Sequence, residues 1–319
     1  MNLTAPKFWK KKSFLSSIFL FFSLIYIFIY RIYLLINKEQ TIGIPVICVG
    51  NAIIGGSGKT PTVIKLRKIL KKKYKNIFVL TKGYKGNDKG PLLVDLKSNF
   101  RSVGDESLIH AIHGKTCVSK NRVKGAYFCK NYKSDLIIMD DGLQSKNIKK
   151  NLRFLVIDYD YGFGNNRVFP AGPLREPSKD SIDKAHAIII IGKEGKKKFI
   201  INKPIFYAKK KIYVKKKIKK NVFAFSGLGN NENFFNAVKE KFDIKNFKSF
   251  PDHHVYKKSE IEQIISISQN EGLSILCTLK DYLKIPKEYK HQINFADLEI
   301  RFEKEKELFN FVSSKINFL

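Results

Sequence analysis

The chain is poor in cysteine, and its four, Cys48, Cys117, Cys129 and Cys277, form no C-x-x-C pair. No histidine pair stands at zinc-finger spacing, so neither a disulfide framework nor a structural zinc module is expected. Cys48 and Cys277 lie in apolar, strand-like runs and read as buried thiols of a reducing compartment. Acidic residues are also scarce: 28 Asp and Glu against 60 Lys and Arg give a formal net charge of +32. Two readings of that imbalance stand. One is an anionic partner, whether nucleic acid, an anionic membrane or a phosphorylated substrate. The other is a drift of neutral surface positions toward Lys, visible in the runs at 71–73 and 196–198. The Lys clusters are scattered and no nucleic-acid module accompanies them, so no nucleic-acid partner is expected. There is no internal repeat, and 319 residues allow one large domain or two modest ones.

One long run lacks charge altogether: FLSSIFLFFSLIYIFIY over residues 14–30, preceded by Lys7, Lys10, Lys11 and Lys12 and followed by Arg31. As a helix of about 26 Å it is marginal for a hydrocarbon core of ~30 Å; extension through 32–36 would exceed that core, with Arg31 snorkelling. No small-residue cleavage site follows, which argues against a signal peptide. Residues 1–37 therefore read as a membrane-anchoring helix, apolar all round, either spanning or lying in the surface. Trp9, Tyr26, Tyr30 and Tyr33 suit an interfacial belt, and basic residues on both flanks leave the orientation open.

Beyond the anchor, apolar strand patterns alternate with helical ones. Strands are expected at 44–51, 76–84, 116–119, 134–142, 154–160 and 187–192, with helices at 60–70, 104–113 and 123–131. A Lys-rich connector at 209–220, itself compatible with paired strands, leads to a second α/β pattern. That pattern has strands at 222–230 and 274–281 and helices around 234–242 and 259–269. The alternation predicts an α/β fold with a mostly parallel sheet and flanking helices. It divides into a domain over 38–208, the linker 209–220 and a smaller C-terminal lobe over 221–319.

Gly55, Gly56, Ser57, Gly58, Lys59 and Thr60 stand between a buried strand and a helix, the context a phosphate-binding loop requires. Glycines let backbone N–H groups turn inward around phosphate oxygens, and the helix adds its positive end. Lys59 should reach the β- and γ-phosphates of ATP, and the Thr60 hydroxyl should ligate Mg²⁺. Ile53 stands where the strict motif has its first glycine. Asp140 and Asp141 end an apolar strand, where α/β folds bind ligands, and one of them should hold the metal directly or through water. Asp105 and Glu106 open a helix and serve equally well as a cap and first-turn acid. Asp252, His253 and His254 follow Pro251 in a loop, where an imidazole beside a carboxylate can handle protons. PAGPLREP at 170–177 is a rigid loop whose Arg175 could neutralise phosphate.

Taken in order, VGNAIIGGSGKTP, TKGY, SVGDE, RVKGA, DDGLQ, PAGPLREP, FSGLGN, FPDHHVY and TLKD resemble the signature segments of the tetraacyldisaccharide 4'-kinase family, from about residue 5 to the C-terminus. The resemblance implies two lobes with the active site between them. It implies ATP-dependent phosphorylation of the 4'-hydroxyl of an acylated glucosamine disaccharide lipid, a step of lipid A biosynthesis, at the cytoplasmic face of the bacterial inner membrane. No obligate protein partner is evident. The implied catalytic residues are Asp105 and His253 as a proton-abstracting dyad, with Lys59, Asp141 and Arg122. Thr60, Asp140 and Glu106 fall to the metal and nucleotide shell. His253 is preferred to His254 because the family's constant element resembles Asp-His. Ser145, Lys82 and Leu279 depart from the family's usual His, Arg and Glu. The alternatives are a membrane-tethered P-loop ATPase or GTPase, or a kinase for another membrane lipid.

Overall fold

The structure is a computed structural model and describes residues 6–192, 201–214 and 216–316. The basic run at 196–198 and the first five residues of the expected anchor lie outside these. Helices α1 (Phe14–Ile18) and α2 (Leu20–Ile36) come first. Strand β1 (Val46–Gly50) leads into α3 (Lys59–Leu70), β2 (Ile77–Thr81) and β3 (Leu92–Leu93). Helices α4 (Phe100–Val103) and α5 (Asp105–His113) precede β4 (Thr116–Val118), α6 (Arg122–Asn131), β5 (Leu136–Asp140) and β6 (Leu152–Asp158). Next come α7 (Ser178–Lys184), β7 (Ala187–Ile191), β8 (Ile205–Val214), β9 (Asn221–Ser226), α8 (Asn231–Lys239) and β10 (Asp243–Ser249). Helix α9 (Lys258–Asn270), β11 (Ser274–Thr278), α10 (Leu279–Tyr282), β12 (Ile293–Phe302) and α11 (Glu305–Ile316) complete the chain.

The described strands form one sheet in the order β10-β9-β11-β12-β8-β7-β6-β1-β5-β2-β4-β3. Neighbours are parallel except at β12–β8 and at the short edge pair β3–β4. The central strands are buried on both faces, which is why they read as unbroken apolar runs. Their side chains alternate between two cores, as the period of two demands. Ile47, Val49, Ile77, Val79, Leu136 and Ile138 pack under α3 and α11. Val46, Cys48, Phe78, Leu80, Ile137 and Met139 pack on the opposite side with Ala126 and Cys129 of α6. All four cysteines are free and buried, as their apolar surroundings suggest.

Strands β10 and β12 and helix α11 are not expected from the sequence. Strand β12 runs antiparallel to β8 over Ala208–Val214, with Lys211 opposite Glu299. The first half of the Lys-rich connector is therefore a strand of the common sheet. Ile300, Phe302, Leu308, Val312 and Ile316 then return to the core beneath the P-loop helix.

The N-terminal segment corrects two expectations. It is two helices with a break after Ile18, and among the described residues no helix is long and apolar enough to cross a membrane. Nor is α2 apolar all round. Ser23, Tyr26, Ile27, Tyr30 and Tyr33 recur at helical spacing and turn toward the protein, while Phe21, Leu24, Phe28, Leu35 and Ile36 face outward. Trp9, Tyr26, Tyr30 and Tyr33, expected as an interfacial belt, make contacts within the protein. The indole of Trp9 is buried and donates to Pro170 O at 3.1 Å. The Tyr30 hydroxyl donates to Glu176 at 2.9 Å and Tyr33 to Asn147 at 2.9 Å. Tyr26 stacks edge-on against Phe169.

Candidate active site

The glycine loop connects β1 to α3 at the carboxyl end of the sheet's centre. Gly58 caps α3 at φ +87°, and a Cβ there would also lie 2.7 Å from Ile191. Only glycine meets both constraints. A Cβ on Gly55 or Gly56 would meet nothing within 4 Å, so the loop's inner wall is open. Ile53 does not disturb it: the side chain is buried, and its backbone bridges Leu174 while Ile54 N donates to Pro173 O at 2.7 Å. Backbone contacts at Ile53 and Ile54 thus fasten the loop to PAGPLREP.

Strand β5 lies directly beside β1 and delivers both aspartates to the loop. Asp140 Oδ2 accepts from the Thr60 hydroxyl at 3.0 Å. Its Oδ1 is buried without a partner. Asp141 takes a left-handed φ of +57°, which Asp tolerates better than most side chains. Its carboxylate accepts two bonds from Arg175 Nη1, at 2.8 and 3.0 Å, and lies 3.8 Å from Lys59 Nζ. Burial pushes the Asp141 carboxyl upward, but the charges of Lys59 and Arg175 outweigh it and hold the group below its usual range. Arg122 donates to the Asp141 carbonyl.

Helix α5 brings the second set of acids. Asp105 Oδ1 accepts from Glu106 N at 2.9 Å. Asp105 Oδ2 faces His253 Nδ1 at 2.8 Å, across 148 residues of sequence. His253, at φ +62°, is presented by the loop after β10. His254 turns away, onto Phe250 and Glu260. Burial and the neighbouring Asp140 charge push the Glu106 carboxyl up.

An orphaned carboxylate oxygen, a hydroxyl beside it and a second acid pushed up by the first make a locus short of positive charge. Hard oxygen donors of this kind fit Mg²⁺ held with phosphate oxygens and water. Among the described residues no group of three or more His, Cys, Asp or Glu forms a metal cage, and a phosphate-borne Mg²⁺ requires none.

Several site residues were not legible in the sequence. Lys280, in the TLKD segment, places Nζ 2.9 Å from Asp252, 3.2 Å from His253 Nε2 and 3.7 Å from Asp105. Glu176 is buried and accepts from Tyr30, Gln144, Ser181 and Lys184. His110, on α5, bonds Asp140. Position four residues after Glu106 on one helix face was the available signal for His110; the TLKD segment singled out Lys280 without indicating its role.

Beside Asp141 opens a cavity of ≈ 610 Å³. Tyr26, Tyr30 and Tyr33 of α2 form one wall. Lys82, Arg122, Arg175 and Ser145 also line the cavity. Burial, then the Arg122 charge, lowers the Lys82 ammonium from its usual value.

A parallel sheet with a glycine loop opening a helix, Lys-Thr at the helix start and acids ending the adjacent strand define a P-loop phosphotransferase. The profile of the family described as tetraacyldisaccharide-1-P 4'-kinase matches residues 14–317, and the chain belongs to that family. It is 35% identical over 310 residues to the tetraacyldisaccharide 4'-kinase of Paramagnetospirillum magneticum, covering 94% of this chain and 95% of that one. To the enzyme of the same name from Bradyrhizobium diazoefficiens it is 37% identical over 255 residues, 76% of this chain and 75% of that one. A crystal structure of LpxK from Aquifex aeolicus in complex with ATP superposes with a TM-score of 0.80 at 29% identity, over 95% of this chain and 99% of that one.

Proposed function

We propose that the protein transfers the γ-phosphoryl group of ATP to the 4'-hydroxyl of tetraacyldisaccharide 1-phosphate, giving the 4'-phosphorylated lipid IVA intermediate, at the cytoplasmic face of the inner membrane. The observation that supports the reading is convergence: Lys59, Thr60, Asp140 and Asp141 stand at the centre of the sheet, Glu106 of α5 feels the charges of Asp140 and Lys59, and its neighbour Asp105 meets His253 from the loop after edge strand β10. Phosphoryl transfer needs charge neutralisation and alignment more than covalent chemistry.

The glycine loop and Lys59 would bind the β- and γ-phosphates. Thr60 and Asp140, with Glu106 nearby, would hold Mg²⁺, which would supply positive charge to offset that of the phosphates. Arg122 and Arg175 would fix Asp141 beside the transferring group. His253 donates through Nδ1 to Asp105, and Lys280 occupies its Nε2. With Nε2 engaged, the acceptor for the sugar hydroxyl's proton would be the Asp105 carboxylate, oriented by His253. The cavity beside Asp141 would take the sugar head, among the α2 tyrosines and the cationic side chains. The departures at Ser145 and Lys82 lie on this cavity, where Lys82 keeps charge but loses a bidentate fork.

Docking at the membrane would use α1 and α2. Their outward residues are apolar and strongly exposed, Phe14 at 82% and Leu35 at 80%, the reverse of a helix facing water. We also propose a division into a P-loop unit over 38–208 and a C-terminal unit over 221–319, joined through 209–220, with reaction in the cleft. The test is ADP release by purified protein with Mg-ATP, with and without the lipid acceptor in mixed micelles. The proposal expects release to depend on the lipid, which gains one phosphate by mass. Lipid-independent release with an unmodified lipid would contradict it and favour a tethered ATPase.

A further inference from the structure

Helix α5 aims one more side chain at the P-loop, and no step above uses it. His110 follows Glu106 by four residues, so both project from one face of the helix. Its ring is completely buried. Nε2 lies 2.7 Å from Asp140 Oδ2, the oxygen that also accepts from Thr60 at 3.0 Å. A carboxylate only accepts, so Nε2 carries a hydrogen and donates it, while Nδ1 has no partner. The turn carrying the ring is itself tied down. Arg67 of α3, buried beneath it, donates to His110 O at 3.4 Å and to the carbonyls of Ile77 and Lys115 at 2.9 Å each. The chain of contacts closes on itself: α3 through Arg67 to α5, His110 to β5, and Asp140 back to α3 through Thr60.

We propose that His110 is a positioning residue for Asp140, and that it sets how strongly a divalent cation tightens nucleotide binding at the P-loop. The inference rests on the nucleotide-site reading above. Two donors on Oδ2 fix the carboxylate's orientation and leave Oδ1 as its one oxygen without a bond. A ligand held in this way needs no rearrangement when a cation arrives, and loss of such a supporting bond typically costs 10–100-fold in metal affinity. A histidine serving only as core filler would carry no such linkage, because an apolar residue of similar size would do as well.

The experiment is calorimetric titration of the full-length protein in detergent with ADP, first in EDTA and then in excess Mg²⁺. It compares wild type, His110→Leu, His110→Asn and His110→Gln. The quantity read is the factor by which Mg²⁺ tightens ADP. The expected result is a factor smaller by about 10-fold in His110→Leu and His110→Asn. Affinity in EDTA should be little changed, and His110→Gln, whose amide nitrogen can occupy the place of Nε2, should recover most of the factor. His110→Asn carries the test should the leucine variant fail to fold. A wild-type Mg²⁺ factor in His110→Leu, or in His110→Asn, whose amide is too short to reach the place of Nε2, would overturn the proposal. So would equal losses in EDTA and Mg²⁺ that His110→Gln does not repair, since these mark a packing role. Absence of ADP binding by the wild type would overturn the P-loop reading itself, a different result from an unchanged Mg²⁺ factor.

Discussion

Asp105 feels two opposing influences. Burial pushes its carboxyl up, while the hydrogen bond from His253 and the charge of Lys280 pull it down, and the net pKa lies below the ordinary 3.8. A carboxyl depressed on folding stabilises the folded state above its unfolded value and loses that contribution as pH falls through the folded value. The stability gap between wild type and Asp105→Asn should therefore hold steady at neutral pH and close below about pH 4 in denaturant titrations. A gap that widens in acid would reverse the sign. Glu106 behaves oppositely: its carboxyl is raised from 4.5 by burial and by Asp140. Its charged form disfavours the folded state as pH rises, so Glu106→Gln should raise the melting temperature of nucleotide-free protein at pH 7–8. The same substitution should weaken turnover. A lowered melting temperature would show that the acids are not in tension. At this scale the sequence singled out Asp105 and His253 separately but paired them only through resemblance, because no spacing rule pairs residues 148 apart. His110 stands in an apolar helical pattern and reads as core until β5 is placed beside it.

At the scale of elements, α2 presents its tyrosine and serine stripe to the PAGPLREP loop. Ser23 donates to Val168 O at 2.8 Å and accepts from Ala171 N at 3.2 Å. Removing residues 1–37 would therefore disturb the loop that carries Arg175 as well as any membrane contact. The cleaner variant is the triple substitution Phe21→Ser, Phe28→Ser and Leu35→Ser on the outward stripe. Each loses on the order of 1 kcal/mol or more of apolar transfer, so vesicle affinity should fall by roughly 100-fold while melting temperature stays within a few degrees. Unchanged vesicle sedimentation would remove α2 as the docking element. In the C-terminal half, Lys284 and Asp281 form a buried pair at 3.1 Å, and Asp281 also accepts from Gly227 N at 3.0 Å. Gly227 O in turn accepts from His253 N at 3.3 Å, so the pair supports the histidine loop. Lys284→Ala should cost about 3–5 kcal/mol in equilibrium unfolding, because it leaves a buried carboxylate uncompensated. A loss below about 1 kcal/mol would show that water reaches the site. The central strands were legible because both faces are buried. Strand β10, DIKNFKS, was not: it is an edge strand, largely polar, and its pairing is decided by β9 rather than by its own pattern.

At the scale of the molecule, the two halves share one sheet whose direction reverses at β8–β12, and α11 packs beneath the P-loop helix. A two-lobe reading follows from the alternation of strands and helices, but the shared sheet does not, since long-range pairing leaves no local mark. The excess of cationic charge fits an anionic lipid surface, where each well-placed Lys or Arg contributes about 1 kcal/mol and salt screens the attraction. Vesicle binding should therefore weaken between low and physiological salt for anionic lipid and change little for neutral lipid.

The most direct measurement is transfer of radiolabelled γ-phosphate from Mg-ATP to tetraacyldisaccharide 1-phosphate in mixed micelles, with Lys59→Ala alongside. The expected result is labelled lipid with the wild type, and a rate at least a thousandfold lower with the variant, the scale of losing a principal electrostatic contact to the transferring phosphoryl group. Labelling that survives in Lys59→Ala, or ATP turnover that never labels the lipid, would contradict a P-loop kinase acting on this acceptor.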